Sequence, residues 1–164
     1  MALEPLSKSK HASLKLGPVD LSEFSDLPLI PVYQHELNKL VCDYSLCFTY
    51  REETPCLRLL SSVNPDYGSA LINKERKWVG QYVPAYLRHY PFFAFQTKAG
   101  ERSIFIEENC SRLQEAEGLQ LFQEDQPTET LNKIVKDMTF IFESAILTQK
   151  MLDSLQEHEL IVPW

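Results

Sequence analysis

The chain has 164 residues, 44% hydrophobic and 24% charged, with a formal net charge of −7 at pH 7 and a pI near 5.1. That is the usual size of one domain with enough apolar residues for a core, which excludes a disordered chain. The acidic balance argues against nucleic acid and against an anionic membrane surface as partners, since both are bound by a basic face.

Residues 1–12 are polar and read as a flexible N-terminal tail. SLKLGP (13–18) alternates apolar and polar residues and predicts a strand ending at Gly17-Pro18. A connector with a turn near Ser25-Asp26 follows. VYQHELNKLVCD (32–43) reads as a short helix. YSLCFTYRE (44–52) and CLRLLSSVN (56–64), joined by Glu53-Thr54-Pro55, predict an antiparallel hairpin. Asn64-Pro65-Asp66-Tyr67-Gly68 is a turn, SALIN (69–73) a short strand, and KERK (74–77) a solvated turn.

KWVGQYVPAYLRHYPFFAF (77–95) carries the densest aromatics. Trp78, Tyr82, Tyr86 and Tyr90 recur every fourth residue. Pro84 suits a first helical turn, and Pro91 stops the helix near Tyr90. FFAFQT (92–97) and RSIFIE (102–107) form a second hairpin around Lys98-Ala99-Gly100-Glu101. RLQEAEG (112–118) reads as a helical turn, and LQLF (119–122) as an apolar segment. From Leu131 to Leu155 the apolar residues keep a helical period, with Thr128 or Thr130 able to cap the start and Glu157 near the end. The fold class is therefore α+β: an antiparallel sheet built from hairpins, one short Pro-started helix and one long C-terminal helix packed on the sheet, in a single domain over 13–164.

The chemistry-bearing residues form no catalytic pattern. Cys42, Cys47, Cys56 and Cys110 make no CxxC, and no Cys/His spacing suits zinc. His35-Glu36 opens like HExxH but lacks the second His. His11 falls in the tail, and His158 follows the long helix, where a C-terminal dipole favours it. The five glycines make no phosphate loop. Glu107, Glu108, Glu115, Glu117, Glu124 and Asp125 read as a solvated acidic face. No catalytic residue, metal ligand or cofactor is expected. The binding candidates are Trp78, Tyr82, Tyr86, Arg88, His89 and Tyr90, because Tyr, Trp and Arg suit binding hot spots. The alternative is that the same aromatics pack on the sheet.

The run Lys77–Phe95 resembles the signature W-x-G-x-Y-[IV]-P-A-x-L-R-R-Y-P-F of the SapC-like family, with His89 in place of a second Arg. IFIEENCSRLQEAEGLQLFQEDQPTETL (104–131) is similar to that family's second block, so the likeness covers about residues 25–162. Family members typically continue beyond Leu160-Ile161-Val162-Pro163-Trp164, which admits a missing terminal strand and an open sheet edge. The family is bacterial and takes its name from surface-layer protein transport. A peptide-transporter permease of similar name is a different protein, since no apolar run here reaches the roughly 20 residues of a membrane span. Four cysteines and an N-terminus without an export signal imply a reducing, cytoplasmic location; with the resemblance, the expected function is a non-enzymatic interaction protein, an accessory to export of a surface-layer or other protein. It would have a protein partner, no nucleic acid, no membrane insertion, and a homodimer available through the long helix or an open sheet edge. The alternative function is an enzyme or enzyme partner holding a peptide or small molecule in a pocket around residues 78–95.

Overall fold

The computed structural model describes residues 2–97 and 99–162; Met1, Lys98, Pro163 and Trp164, including the tip of the second hairpin and the last two residues, lie outside them. In chain order it contains β1 (Leu3–Pro5), a one-turn helix α1 (Lys8–His11), β2 (Lys15–Leu16) and a 3-10 turn at Leu21–Phe24. Then come β3 (Leu29–Pro31), a 3-10 turn at Gln34–Glu36 running into α2 (Leu37–Leu40), and the hairpin β4 (Leu46–Arg51) and β5 (Thr54–Leu60). The one-turn helix α3 (Ala85–Arg88) precedes the hairpin β6 (Phe92–Gln96) and β7 (Arg102–Glu107). Four two-residue strands follow: β8 (Leu113–Gln114), β9 (Leu119–Gln120), β10 (Phe122–Gln123) and β11 (Gln126–Pro127). The long helix α4 (Glu129–Glu157) is the last element. The class is α+β, as expected. Contacts divide the chain into two compact units.

Unit one comprises Met1–Asp20 and His89–Phe142. Its sheet has the order β1-β7-β6, all antiparallel, with Leu3 opposite Glu107 and Phe93 opposite Phe105. The expected flexible tail is corrected here. Residues 3–5 form a sheet edge and His11 is fully buried, its Nε2 3.1 Å from Glu108 Oε1 and its Nδ1 2.8 Å from the Ser7 carbonyl oxygen. A polar segment is ordered because its backbone groups find sheet partners about a hundred residues away. The helical turn expected at 112–118 is corrected too: β8 pairs with β2, which also pairs with β9. Gly118 has φ 120°, and a Cβ there would stand 2.7 Å from the Leu16 carbonyl oxygen, so the chain doubles back instead of coiling.

Unit two comprises Leu21–Arg88 and Glu143–Trp164. Its sheet has the order β3-β5-β4. β5 alternates in burial, with Pro55, Leu57 and Leu59 inside and the residues between them half-buried. The hairpin turns at Glu52-Glu53, with Glu52 at φ 56°, one or two residues earlier than the sequence suggests. Pro55 therefore lies within the central strand. Its ring nitrogen faces the side of β5 that β3 has already left, so no ladder bond is lost. The strand expected at 69–73 reduces to a single bridge between Ile72 and Trp78. The helix expected at 32–43 is a 3-10 turn followed by one α-turn.

Candidate functional site

Two polar hubs hold the segment from Trp78 to Arg88 in unit two. The first is the Tyr44 hydroxyl. It accepts the Trp78 indole N–H and the Tyr82 N–H, each at 3.0 Å, and donates to the Tyr82 carbonyl at 2.8 Å. One donor and two acceptor sites are all a hydroxyl has, and all three are used. Gly80 lies where the hydroxyl passes, and a Cβ on it would stand 2.0 Å from Tyr44 Oη. The Trp-x-Gly-x-Tyr spacing thus wraps one half-buried hydroxyl.

The second hub is the carboxylate of Glu36, which has no solvent exposure. Its Oε1 accepts the Ala85 N–H at 2.6 Å and the Tyr82 hydroxyl at 2.9 Å, while its Oε2 accepts the Tyr33 N–H at 3.2 Å. The Ala85 N–H is one of the donors that a helix start leaves without an intrahelical partner, and Glu36 satisfies it. Arg88 Nη2 stands 4.0 Å from Glu36 Oε1, bringing a positive charge to a buried negative one.

Arg88 carries the network to the surface. Its Nε donates to the Val83 carbonyl at 2.9 Å and its Nη2 to the Tyr82 hydroxyl at 2.8 Å. Its guanidinium lies 5.1 Å from the centre of the Tyr82 ring, and Lys39 Nζ lies 5.0 Å from the same centre. The Arg88 side chain is 43% exposed. Burial, reinforced by the Glu36 charge, pushes the Tyr82 and Tyr33 hydroxyls up to about 12. His35 stacks on Tyr33 with the rings 6.1 Å apart, and burial lowers its pKa against the opposing pull of Glu36.

The six residues singled out from the sequence divide between the units. Trp78, Tyr82 and Arg88 belong to the hubs described, and Tyr86 meets Phe24 edge-to-face at 6.5 Å. His89 and Tyr90 fall in unit one. His89 Nδ1 lies 4.0 Å from Asp137 Oδ2. Tyr90 is buried against Phe93, and its carbonyl accepts a bond from the Arg112 guanidinium. Glu36, Tyr44 and Lys39 escaped the sequence reading. Glu36 stood in view as part of a failed zinc motif, and its position three residues after Tyr33 was the one local signal, because that spacing lets a glutamate reach back to a backbone N–H. Tyr44 has no local signal, since its partners lie 34 and 38 residues away.

The acidic run is corrected in part. Glu107 is buried and accepts the Ala2 N–H at 2.8 Å, while Glu115, Glu117, Glu124 and Asp125 are exposed. A groove of about 360 Å³ in unit two is lined by Ser45, Ser61, Asn64 and Tyr67 among others, and by none of the six candidates. Among the described residues no group of three His, Cys, Asp or Glu side chains is placed to hold a metal ion, and no helix is long and apolar enough to cross a membrane.

These elements define an α+β protein of antiparallel sheets and a long helix, with a Trp-Gly-Tyr-Pro segment wrapped on a half-buried tyrosine and a buried glutamate. The chain belongs to the SapC family, whose model matches residues 6–164. No curated protein matches it, and no solved structure does.

Proposed function

We propose that this chain is a non-enzymatic binding protein that takes an acidic segment of a protein partner on the Lys39–Tyr82–Arg88 surface. Four cysteines without a disulfide among the described residues support a reducing, cytoplasmic setting, and the family's name supports an accessory role in export of a surface-layer or other protein. One observation carries the reading. Arg88 is exposed yet held by the Val83 carbonyl and the Tyr82 hydroxyl, and Lys39 shares the same ring. A guanidinium already fixed in place loses little side-chain entropy on binding, and Arg over Tyr is a frequent hot-spot pairing. Two cations on one ring in a chain of charge −7 make a local reversal of sign that selects an anionic partner.

The test compares partners captured from the native host by wild type and by Lys39→Glu/Arg88→Glu, quantified by mass spectrometry, with thermal melting as the control for folding. The expected result is at least tenfold depletion of a discrete, acidic-segment partner by the double variant. An unchanged set of partners with an unchanged melting temperature rejects this surface.

A further inference from the structure

The sheet edges of this chain are not equally protected. β1 ends in Pro5 and β3 in Pro31, and both are three residues long. Short strands and prolines are the usual ways to blunt an edge. β4 has neither. It is six residues long, LCFTYR, and its one charge is at the last position.

The register shows which of its backbone groups point outward. The Leu60 N–H donates to the Ser45 carbonyl, and Arg51 faces Thr54 across the two-residue turn. Residues 47, 49 and 51 therefore bond inward to β5, because hydrogen-bonded pairs alternate along an antiparallel ladder. The N–H and C=O groups of Leu46, Phe48 and Tyr50 point away from β5, and among the described residues no hydrogen bond meets them. The same three side chains lie opposite Leu59, Leu57 and Pro55, so they extend the sheet's buried face onto its edge. Cover stops short there: Phe48 remains 45% exposed and Tyr50 46%.

We infer that β4 pairs antiparallel with β4 of a second copy of this chain, with Phe48 opposite Phe48 across a twofold axis. The strand is self-complementary in that register. Leu46 then faces Tyr50 and Tyr50 faces Leu46, each in the outward-bonding position, so every free backbone group at those residues gains its partner. The phenylalanines stack at the centre between two Leu–Tyr pairs, a cross-strand arrangement that stabilises sheets. Arg51 falls opposite Ser45, and the paired stretch from Leu46 to Tyr50 carries no charge. The second copy covers the apolar edge that this chain leaves open. The inference does not use the Lys39–Tyr82–Arg88 surface.

Sedimentation velocity on the full chain over a concentration series, with wild type beside Phe48→Lys, tests it. The expected result is a dimer that Phe48→Lys weakens by about tenfold or more, because two ammonium groups then oppose each other. Amide exchange on the wild type supplies an independent reading if that variant fails to fold. The amides of Leu46, Phe48 and Tyr50 should become protected as concentration rises, while those of Cys47 and Thr49 are protected throughout. A monomer at every concentration overturns the inference and leaves the edge to an extended segment of another protein. A dimer in which the three outward amides exchange at one rate regardless of concentration also overturns it, and moves the interface elsewhere, α4 included.

Discussion

Glu36 can be a carboxylate without exposure only because both its oxygens accept bonds and Arg88 stands near. Glu36→Ala strands the Ala85 and Tyr33 N–H groups and frees the Tyr82 hydroxyl. At about 1–3 kcal/mol for a buried donor left unmet, a loss of about 3 kcal/mol is expected by urea unfolding. Glu36→Gln keeps a carbonyl oxygen for Ala85 and Tyr82 and should lose about half as much. Equal, small losses in the two variants would deny the hub its role. The same burial sets the response to pH. Tyr33 and Tyr82 stay protonated to about 12 in the folded chain but lose their protons near 10 when it unfolds. Between those values the unfolded state binds fewer protons, so stability falls as pH rises from 10 to 12. At the other end, His35 has a folded pKa below its ordinary 6.5, so the unfolded state binds the proton first and stability also falls as pH drops below 6.5. Unfolding free energies measured across pH, with Tyr33→Phe/Tyr82→Phe and His35→Asn as controls, check both limbs. An alkaline limb that persists undiminished in the double phenylalanine variant would assign it to other groups.

The long helix was legible in its extent and its caps because its signals are local. Thr128 stands at the N-cap, and its Oγ1 accepts the Leu131 N–H at 3.3 Å. The C-terminus closes through Glu159 N–H to the Gln156 carbonyl and Leu160 N–H to the Leu155 carbonyl, with Glu159 at φ 55°. That pair of bonds is the left-handed closure in which glycine is favoured. His158 serves this end as the sequence suggested, its Nδ1 2.8 Å from the Ser154 carbonyl oxygen. Thr128→Ala should cost about 1 kcal/mol, whereas Glu159→Gly should gain up to about 1 kcal/mol by removing the side chain from a left-handed position. Thermal unfolding read by far-ultraviolet circular dichroism distinguishes the signs, and a destabilised Glu159→Gly would contradict this account of the terminus. The two hairpins were legible for a similar reason, since period-two patterning and turn residues lie within one stretch. β2 was legible too, since SLKLGP alternates and stops at Gly17-Pro18, but β1 and β8 were not, because strands of two or three residues carry no period and their partners are remote in the chain. The aromatic recurrence at 78–90 was legible as composition but not as geometry. A fourth-residue spacing suits a helix, whereas only 85–88 are helical and Tyr82 lies outside the helix, its hydroxyl donating to Glu36.

At the scale of the molecule, net charge acts against self-association, and its magnitude makes the β4 pairing testable by salt. Two copies of charge −7 whose centres lie about 35 Å apart, a spacing expected for chains of this length, repel by about 6 kcal/mol in unscreened water. Screening with a Debye length of about 30 Å at 0.01 M leaves about 2 kcal/mol, and one of about 8 Å at 0.15 M leaves about 0.1 kcal/mol. The dimer should therefore tighten by about twentyfold between those ionic strengths. Lowering the pH toward the pI of 5.1 should tighten it further by removing charge from both copies. Partner binding on the Lys39–Tyr82–Arg88 surface should respond in the opposite sense, because salt screens the attraction between those cations and an acidic segment. Sedimentation equilibrium in the two buffers measures the first, and partner titration in the same buffers measures the second. A dimer that weakens with salt would have to be joined through opposite charges. β4 offers none, since its backbone edge and its Leu46, Phe48 and Tyr50 side chains carry no charge and Arg51 meets serine, so that result would place the interface on another face of the chain.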